Sequence, residues 1–275
     1  MRPSKIKLFF SYVLLTILAI FSIYPAIWVI MSSFKVGNAL FSETIIPRKL
    51  TLDHYIRLFE QTDYTIWYWN TLKIATITMI LGTILVIMTA YALSRFRFAG
   101  RKFGLMTMLV ITMFPGFMGM IAVYILLMQV NLLDTHFALI LVYATGAIVG
   151  GAWVAKGHFD SLPRGLEEAA KIDGASNWVI FTKIMLPLSK PILTFVALTT
   201  FIGPWMDFIF ARLVLRSSEK KTLAVGLYEM VSQQGSTQFT TFAAGAVLVA
   251  IPITLLFIFL QRYLIAGLTS GATKG

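Results

Sequence analysis

The sequence predicts an all-α integral membrane protein with six transmembrane helices and both termini on the cytoplasmic side. Three observations lead there. Hydrophobic residues make up 58% of the 275 residues and charged residues only 13%, against roughly 25% charged in a soluble domain. The apolar residues come in continuous runs near the length that crosses a bilayer as helix, about 20 residues. The basic residues, which give a net charge of +11, collect between alternate runs rather than along one polar stripe. That distribution marks a topology signal and headgroup contacts, not a nucleic-acid surface. The lipid bilayer is therefore an expected partner and nucleic acid is not. Cysteine is absent, which excludes disulfide and thiolate chemistry.

The six spans are residues 8–31, 74–93, 103–130, 137–155, 192–211 and 242–260. Only helices and closed barrels satisfy their backbone groups in lipid, and unbroken apolar runs are helices. The first span follows Arg2, Lys5 and Lys7 as a signal peptide would. Its apolar run exceeds the core of a signal peptide, and no small-residue cleavage site follows, so it is expected to be retained. Arg95, Arg97, Arg101 and Lys102 lie between the second and third spans, and Lys156, Arg164, Lys171, Lys183 and Lys190 between the fourth and fifth. Arg262 and Lys274 follow the last. By the positive-inside rule these segments and both termini are cytoplasmic. The segments 32–69 and 212–241 and the short turn 131–136 face outward. One membrane domain, 8–267, is expected between short tails at 1–7 and 268–275, with no internal repeat.

The connection 157–191 is too polar to span and too patterned for a plain linker. Asp160 or Ser161 is placed to cap a helix and Pro163 to occupy its first turn. Glu167 and Glu168 suit the positive end of that helix, and Gly174 supplies the left-handed residue that ends it. Ser176 can cap a second helix, whose Trp178, Phe181 and Ile184 or Met185 form an apolar stripe at spacings of three and four. Pro187 and Pro191 close it and open the fifth span. A helix, a glycine turn and a second amphipathic helix can lie on lipid headgroups or enter a groove of a soluble partner.

The order Glu168-Ala169-Ala170, Asp173-Gly174, then Ile184-x-Leu186-Pro187 resembles the EAA motif of permease subunits of ABC importers. The stretch 90–102, with Leu162-Pro163 and Asp173-Gly174-Ala175, is similar to the carbohydrate-importer group, and the likeness extends over the whole chain. It is nearest to the six-helix maltose and maltodextrin permease subunits. The resemblance implies the type I ABC importer permease architecture, in a prokaryotic inner or plasma membrane. It implies a second homologous permease subunit, two ATP-binding-cassette ATPases and an extracytoplasmic sugar-binding protein as partners. The first helix of 157–191 would be the coupling helix, and Glu168, Ala169, Ala170, Asp173, Gly174, Ile184, Leu186 and Pro187 the ATPase-coupling residues. The polar loop carrying Gln233, Gln234 and Gly235 would meet the binding protein.

The chain's own residues accord with a non-catalytic subunit. No G-x-x-x-x-G-K-[ST] phosphate loop occurs, so ATP hydrolysis belongs to another subunit. His54, His136 and His158 stand far apart and signal no metal site, and no cofactor is expected. Asp207 is an acid within an apolar run, which is costly in lipid. It either bonds sugar hydroxyls in the pathway or sits at the watery end of its helix near Arg212. Met113-Phe114-Pro115-Gly116 invites a kink, and Pro115 and Gly116 either line a gate or serve helix packing. Trp67, Tyr68 and Trp69 suit an interfacial belt, and Asn70 suits a helix cap. A permease of the same family carrying another small solute is the nearest alternative. A secondary transporter or channel would hold more intramembrane charge and paired broken helices.

Overall fold

The computed structural model describes residues 5–37, 46–232 and 238–272. Its regular structure is helical, apart from a single antiparallel bridge between Lys35 and Leu50. Four helices are long and apolar enough to cross a membrane: Lys5–Ser33, Tyr64–Arg95, His136–Ser161 and Phe239–Leu264. They contain the expected spans 8–31, 74–93, 137–155 and 242–260. The other two expected spans are broken. Residues 103–130 form Arg101–Met113 and Gly116–Gln129, which meet at 107°. Pro115 has no N–H to continue a helix and disfavours helical geometry in the residue before it, so Phe114 is extended at ψ 135°. Residues 192–211 do not form one helix either. Lys190–Met206 stops at Asp207, a new helix covers Ile209–Val214, and Lys190–Met206 lies at 79° to Asn177–Leu188. Counting each bent pair once gives at most six spans by length and composition among the described residues, and in the second pair the apolar run lies in Lys190–Met206 while Asn177–Leu188 belongs to the polar connection before it.

The chain divides into two compact units. The first comprises 1–65 and 226–251. Its helix Lys5–Ser33 buries none of its most apolar stretch; only Ser32 and Ser33 at its end are buried. The amphipathic helix Asp53–Glu60 packs Leu58 inward, and buried His54 donates through Nε2 to the Lys35 carbonyl at 2.7 Å. Tyr64 Oη donates to the Gly245 carbonyl at 3.0 Å. A Cβ on Gly245 would stand 2.5 Å from Leu227 Cδ2 and 3.2 Å from Tyr64 Cε2, so a larger residue there has to displace the Leu227 side chain.

The second unit comprises 66–225 and 252–275 and holds the main apolar clusters. Three long helices meet closely there because small residues let backbones approach. A Cβ on Gly82 would come 2.7 Å from Thr200 Cγ2, and one on Gly151 would come 3.1 Å from Val86 Cγ1. Of the three expected belt aromatics only Trp69 is well exposed. Trp67 is buried, and Tyr68 meets Trp205 edge-on at 5.5 Å. Asn70 is not a helix cap: it lies inside Tyr64–Arg95, and its side-chain amide donates to the carbonyls of Glu219 and Lys221 at 2.8 and 3.0 Å.

Candidate functional site

The connection 157–191 is built as a two-helix arm. The helix His136–Ser161 runs further than its apolar pattern, so Asp160 and Ser161 belong to its last turn and do not cap the next helix. Asp160 instead pairs with Lys156 at 2.5 Å and accepts from Ser94 Oγ at 2.5 Å. After extended Leu162 and Pro163 the helix Gly165–Ile172 begins without a side-chain cap. It ends on Gly174 at φ +81°. Gly174 N donates to Lys171 O at 3.0 Å and Ala175 N to Ala170 O at 2.9 Å. These two bonds are the Schellman closure of a helix C-terminus. Ser176 then accepts from Val179 N at 3.3 Å and caps the second helix.

The second helix departs from the expected stripe. Residues Ile180–Met185 form a π-helical turn, in which i→i+5 bonding widens the ring. Ile180 and Met185, five apart, are therefore both buried, whereas Trp178 is 64% exposed. Ile180, Phe181 and Met185 join Tyr91, Phe159 and Val196 in one apolar cluster, with Tyr91 and Phe181 rings 4.7 Å apart.

This packing divides the motif residues into two sets. Ala170, Ile184 and Leu186 are half-buried and lie against the apolar cluster. Glu168, Ala169, Asp173, Gly174 and Pro187 are exposed. Leu166 and Ile172 are exposed too, Ile172 at 87%. The outward surface of the first helix thus mixes acids, a small residue and uncovered aliphatic side chains. Residue-type reasoning missed the role of Glu167. It is buried and pairs through Oε1 with Arg95 Nε. Adjacent residues on a helix differ by about 100° in direction, which separates an inward Glu167 from an outward Glu168. The signal available in the sequence was an arginine ending one apolar run and a second acid beside the motif glutamate.

Asp207 caps a helix. Its Oδ1 accepts from Phe210 N at 3.2 Å and its Oδ2 from Ala211 N at 3.0 Å, and Tyr143 Oη donates to Oδ2 as well. Asp207 and Gly116 lie on the wall of one cavity of about 850 Å³, shared with Thr78, Gly146, Gly150 and Gly203. Pro115 makes the break beside Gly116 but is not among the lining residues. Gln233, Gln234 and Gly235 lie outside the described residues.

The fold and the arm define a polytopic helical membrane protein that holds a two-helix platform, half buried and half offered outward, beyond its apolar spans. The chain belongs to the family of binding-protein-dependent transport system inner membrane components, whose model matches residues 82–270. It is 45% identical to the galactooligosaccharides transport system permease protein GanQ of Bacillus subtilis, over 98% of this chain and 96% of that protein. It is 43% identical to the maltodextrin transport system permease protein MdxG of the same organism, over 96% of this chain and 95% of that one. Among solved structures it superposes with TM-score 0.80 on a chain of a bacterial ABC transporter involved in import of the acidic polysaccharide alginate. That match has 25% identity and covers 96% of this chain and 98% of the other.

Proposed function

We propose that the chain is the pore-forming permease subunit of an ATP-driven, binding-protein-dependent importer of oligosaccharides, and that the arm 157–191 docks the separate ATPase. The observation that carries this reading is the division of the EAA-type residues. Glu168, Ala169, Asp173 and Gly174 are presented to a partner while Ala170, Ile184 and Leu186 anchor the arm to the apolar cluster. The named cargoes of the similar permeases, galactooligosaccharides and maltodextrins, support a glycosidic oligosaccharide built of hexoses.

In this reading two ATPase subunits close beneath this chain and a second, homologous permease. Closure displaces the arm, and the pathway alternates between two rigid arrangements. The distribution of basic residues supports a cytoplasmic arm and cytoplasmic termini by the positive-inside rule. The breaks at Phe114-Pro115 and Asp207 flank the cavity that opens and closes, with Gly116 and Asp207 in its wall. Asp207 shapes the cavity by holding the helix Ile209–Val214, since three donors already occupy its carboxylate. The loop with Gln233, Gln234 and Gly235 meets the binding protein on the opposite side.

The test is uptake by the assembled transporter. Glu168→Lys and Gly174→Asp are expected to insert in the membrane, lose ATPase capture and reduce sugar uptake by at least tenfold. Normal uptake in both variants overturns the docking role.

A further inference from the structure

We propose that the buried Arg95–Glu167 ion pair is the joint through which movement of the arm reaches the pore, with Arg95 and Glu167 as positioning residues. The proposal rests on the docking role of the arm. Both side chains are nearly sealed, with exposures of 5% and 9%. Arg95 is the last residue of the helix Tyr64–Arg95, and Glu167 is in the first turn of Gly165–Ile172, next to outward-facing Glu168. The same guanidinium donates through Nη2 to the Leu162 carbonyl and through Nη1 to Ser94 Oγ, both at 3.1 Å. Ser94 continues to Asp160, which pairs with Lys156. One arginine therefore ties together the end of one long helix, the end of a second, and the arm.

Three physical points favour a joint over a passive staple. The covalent link from His136–Ser161 to the arm breaks helical geometry at extended Leu162, whose carbonyl is itself held by Arg95, so the arm is no rigid continuation of that helix. The helix Gly165–Ile172 contributes only Ala170 to the apolar cluster, so its first turn is held chiefly by the ion pair. On the other side, Arg95 ends a continuous helix that carries Thr78 in the cavity wall. At 1.5 Å per residue that rod delivers a displacement to the cavity over roughly 25 Å. A guanidinium fork in a low-dielectric setting is directional and stiff, as a joint requires.

Stability and transmission separate experimentally, because an apolar pair of similar volume often replaces a buried ion pair at little cost in stability. The double variant Arg95→Met/Glu167→Leu and the single Glu167→Gln would be purified with their partner subunits. They would then be reconstituted in proteoliposomes with the binding protein, with maltotriose and a galactobiose as alternative cargoes. We expect assembly and at least half of the ATP hydrolysis to persist while sugar moved per ATP falls about tenfold. Glu167→Asp, which keeps the charge, recovers part of that ratio. A normal ratio of sugar to ATP in the assembled double variant overturns the proposal. Failure of both variants to assemble, with Glu167→Asp transporting normally, also overturns it, in favour of a structural staple. Glu168→Lys is the control for the underlying reading. If it captures ATPase normally, the docking role has failed. If it does not, and the Arg95 and Glu167 variants transport normally, only the joint has failed.

Discussion

The two ends of the helix His136–Ser161 use acidic residues in opposite ways. Before its start, Asp134 is wholly committed to structure. Its carboxylate accepts from Arg216 N at 2.8 Å, Ser217 N at 3.0 Å, Ser217 Oγ at 2.5 Å and Lys220 Nζ at 3.0 Å. The Lys220 ammonium also donates to the Asp134 carbonyl at 2.8 Å. Beyond its end, two adjacent acids part company. Glu167 is buried on Arg95, and Glu168 is exposed, its side chain making no hydrogen bond or ion pair among the described residues. One end is stitched shut; the other is anchored by one acid while its neighbour stays exposed. The contrast teaches that acid count alone says little about a membrane protein's function. What separates the roles is whether the carboxylate's lone pairs are already filled.

The sharpest break of this comparison is between neighbours. Glu167→Ala leaves a buried guanidinium unpaired, which costs about 3–5 kcal/mol. Glu168→Ala removes an exposed side chain and is expected to change stability by less than about 0.5 kcal/mol. Thermal denaturation of the purified transporter measures both. Equal melting shifts for the two variants would erase the distinction between anchor and docking face. Uptake should show the opposite emphasis for Glu168, with function lost and stability kept.

At the other end, Asp134→Ala strands two backbone N–H groups and leaves Lys220 only the backbone carbonyl of residue 134. The site is partly open to water, with 24% of the Asp134 side chain exposed, so the loss is expected at about 1–3 kcal/mol. The pH dependence sharpens the point. Partial burial works against the charged carboxylate, but the bonds from Ser217, Arg216 and Lys220 outweigh it and hold the Asp134 pKa well below the usual carboxylate range. A group whose folded pKa is depressed adds stability above its unfolded pKa, about 3.9, and loses it as pH falls toward the folded value. The melting difference between wild type and Asp134→Asn should therefore be constant near neutrality and shrink below about pH 4. A difference that grows on acidification would contradict the assigned partners.

How much of this was legible beforehand follows from what each feature depends on. Four spans were readable because apolar run length answers to bilayer thickness alone. The break at Pro115 was readable as a kink, since proline's missing N–H is local chemistry. The end of the fifth run at Met206 was not, because Asp207 stops that helix by capping the next one, with help from Tyr143 on a different helix. Gly174 and Ser176 were legible as turn chemistry, and both take the expected roles. The π turn at Ile180–Met185 was invisible to a period of 3.6. Glu167 was indistinguishable from Glu168 because its burial depends on Arg95, 72 residues away. Long-range pairing of polar groups is what a single sequence conceals.

The smallest expected effect compares one N-cap from each end. Thr135 Oγ1 accepts from Ala138 N at 3.2 Å, and Ser176 Oγ accepts from Val179 N at 3.3 Å. Replacing either by alanine removes one cap bond, worth about 0.5–2 kcal/mol. Surroundings decide where in that range each falls. Ala138 is buried completely, so its freed N–H finds no water and Thr135→Ala should fall near the upper end. Val179 is 43% exposed, so water can replace the serine and Ser176→Ala should fall near the lower end. Hydrogen exchange at the two amides reads the difference directly: opening at Val179 should rise with little change in global melting, whereas opening at Ala138 should track it. The reverse order would place the tighter packing on the arm and undo the view that its outward half is kept loose for a partner.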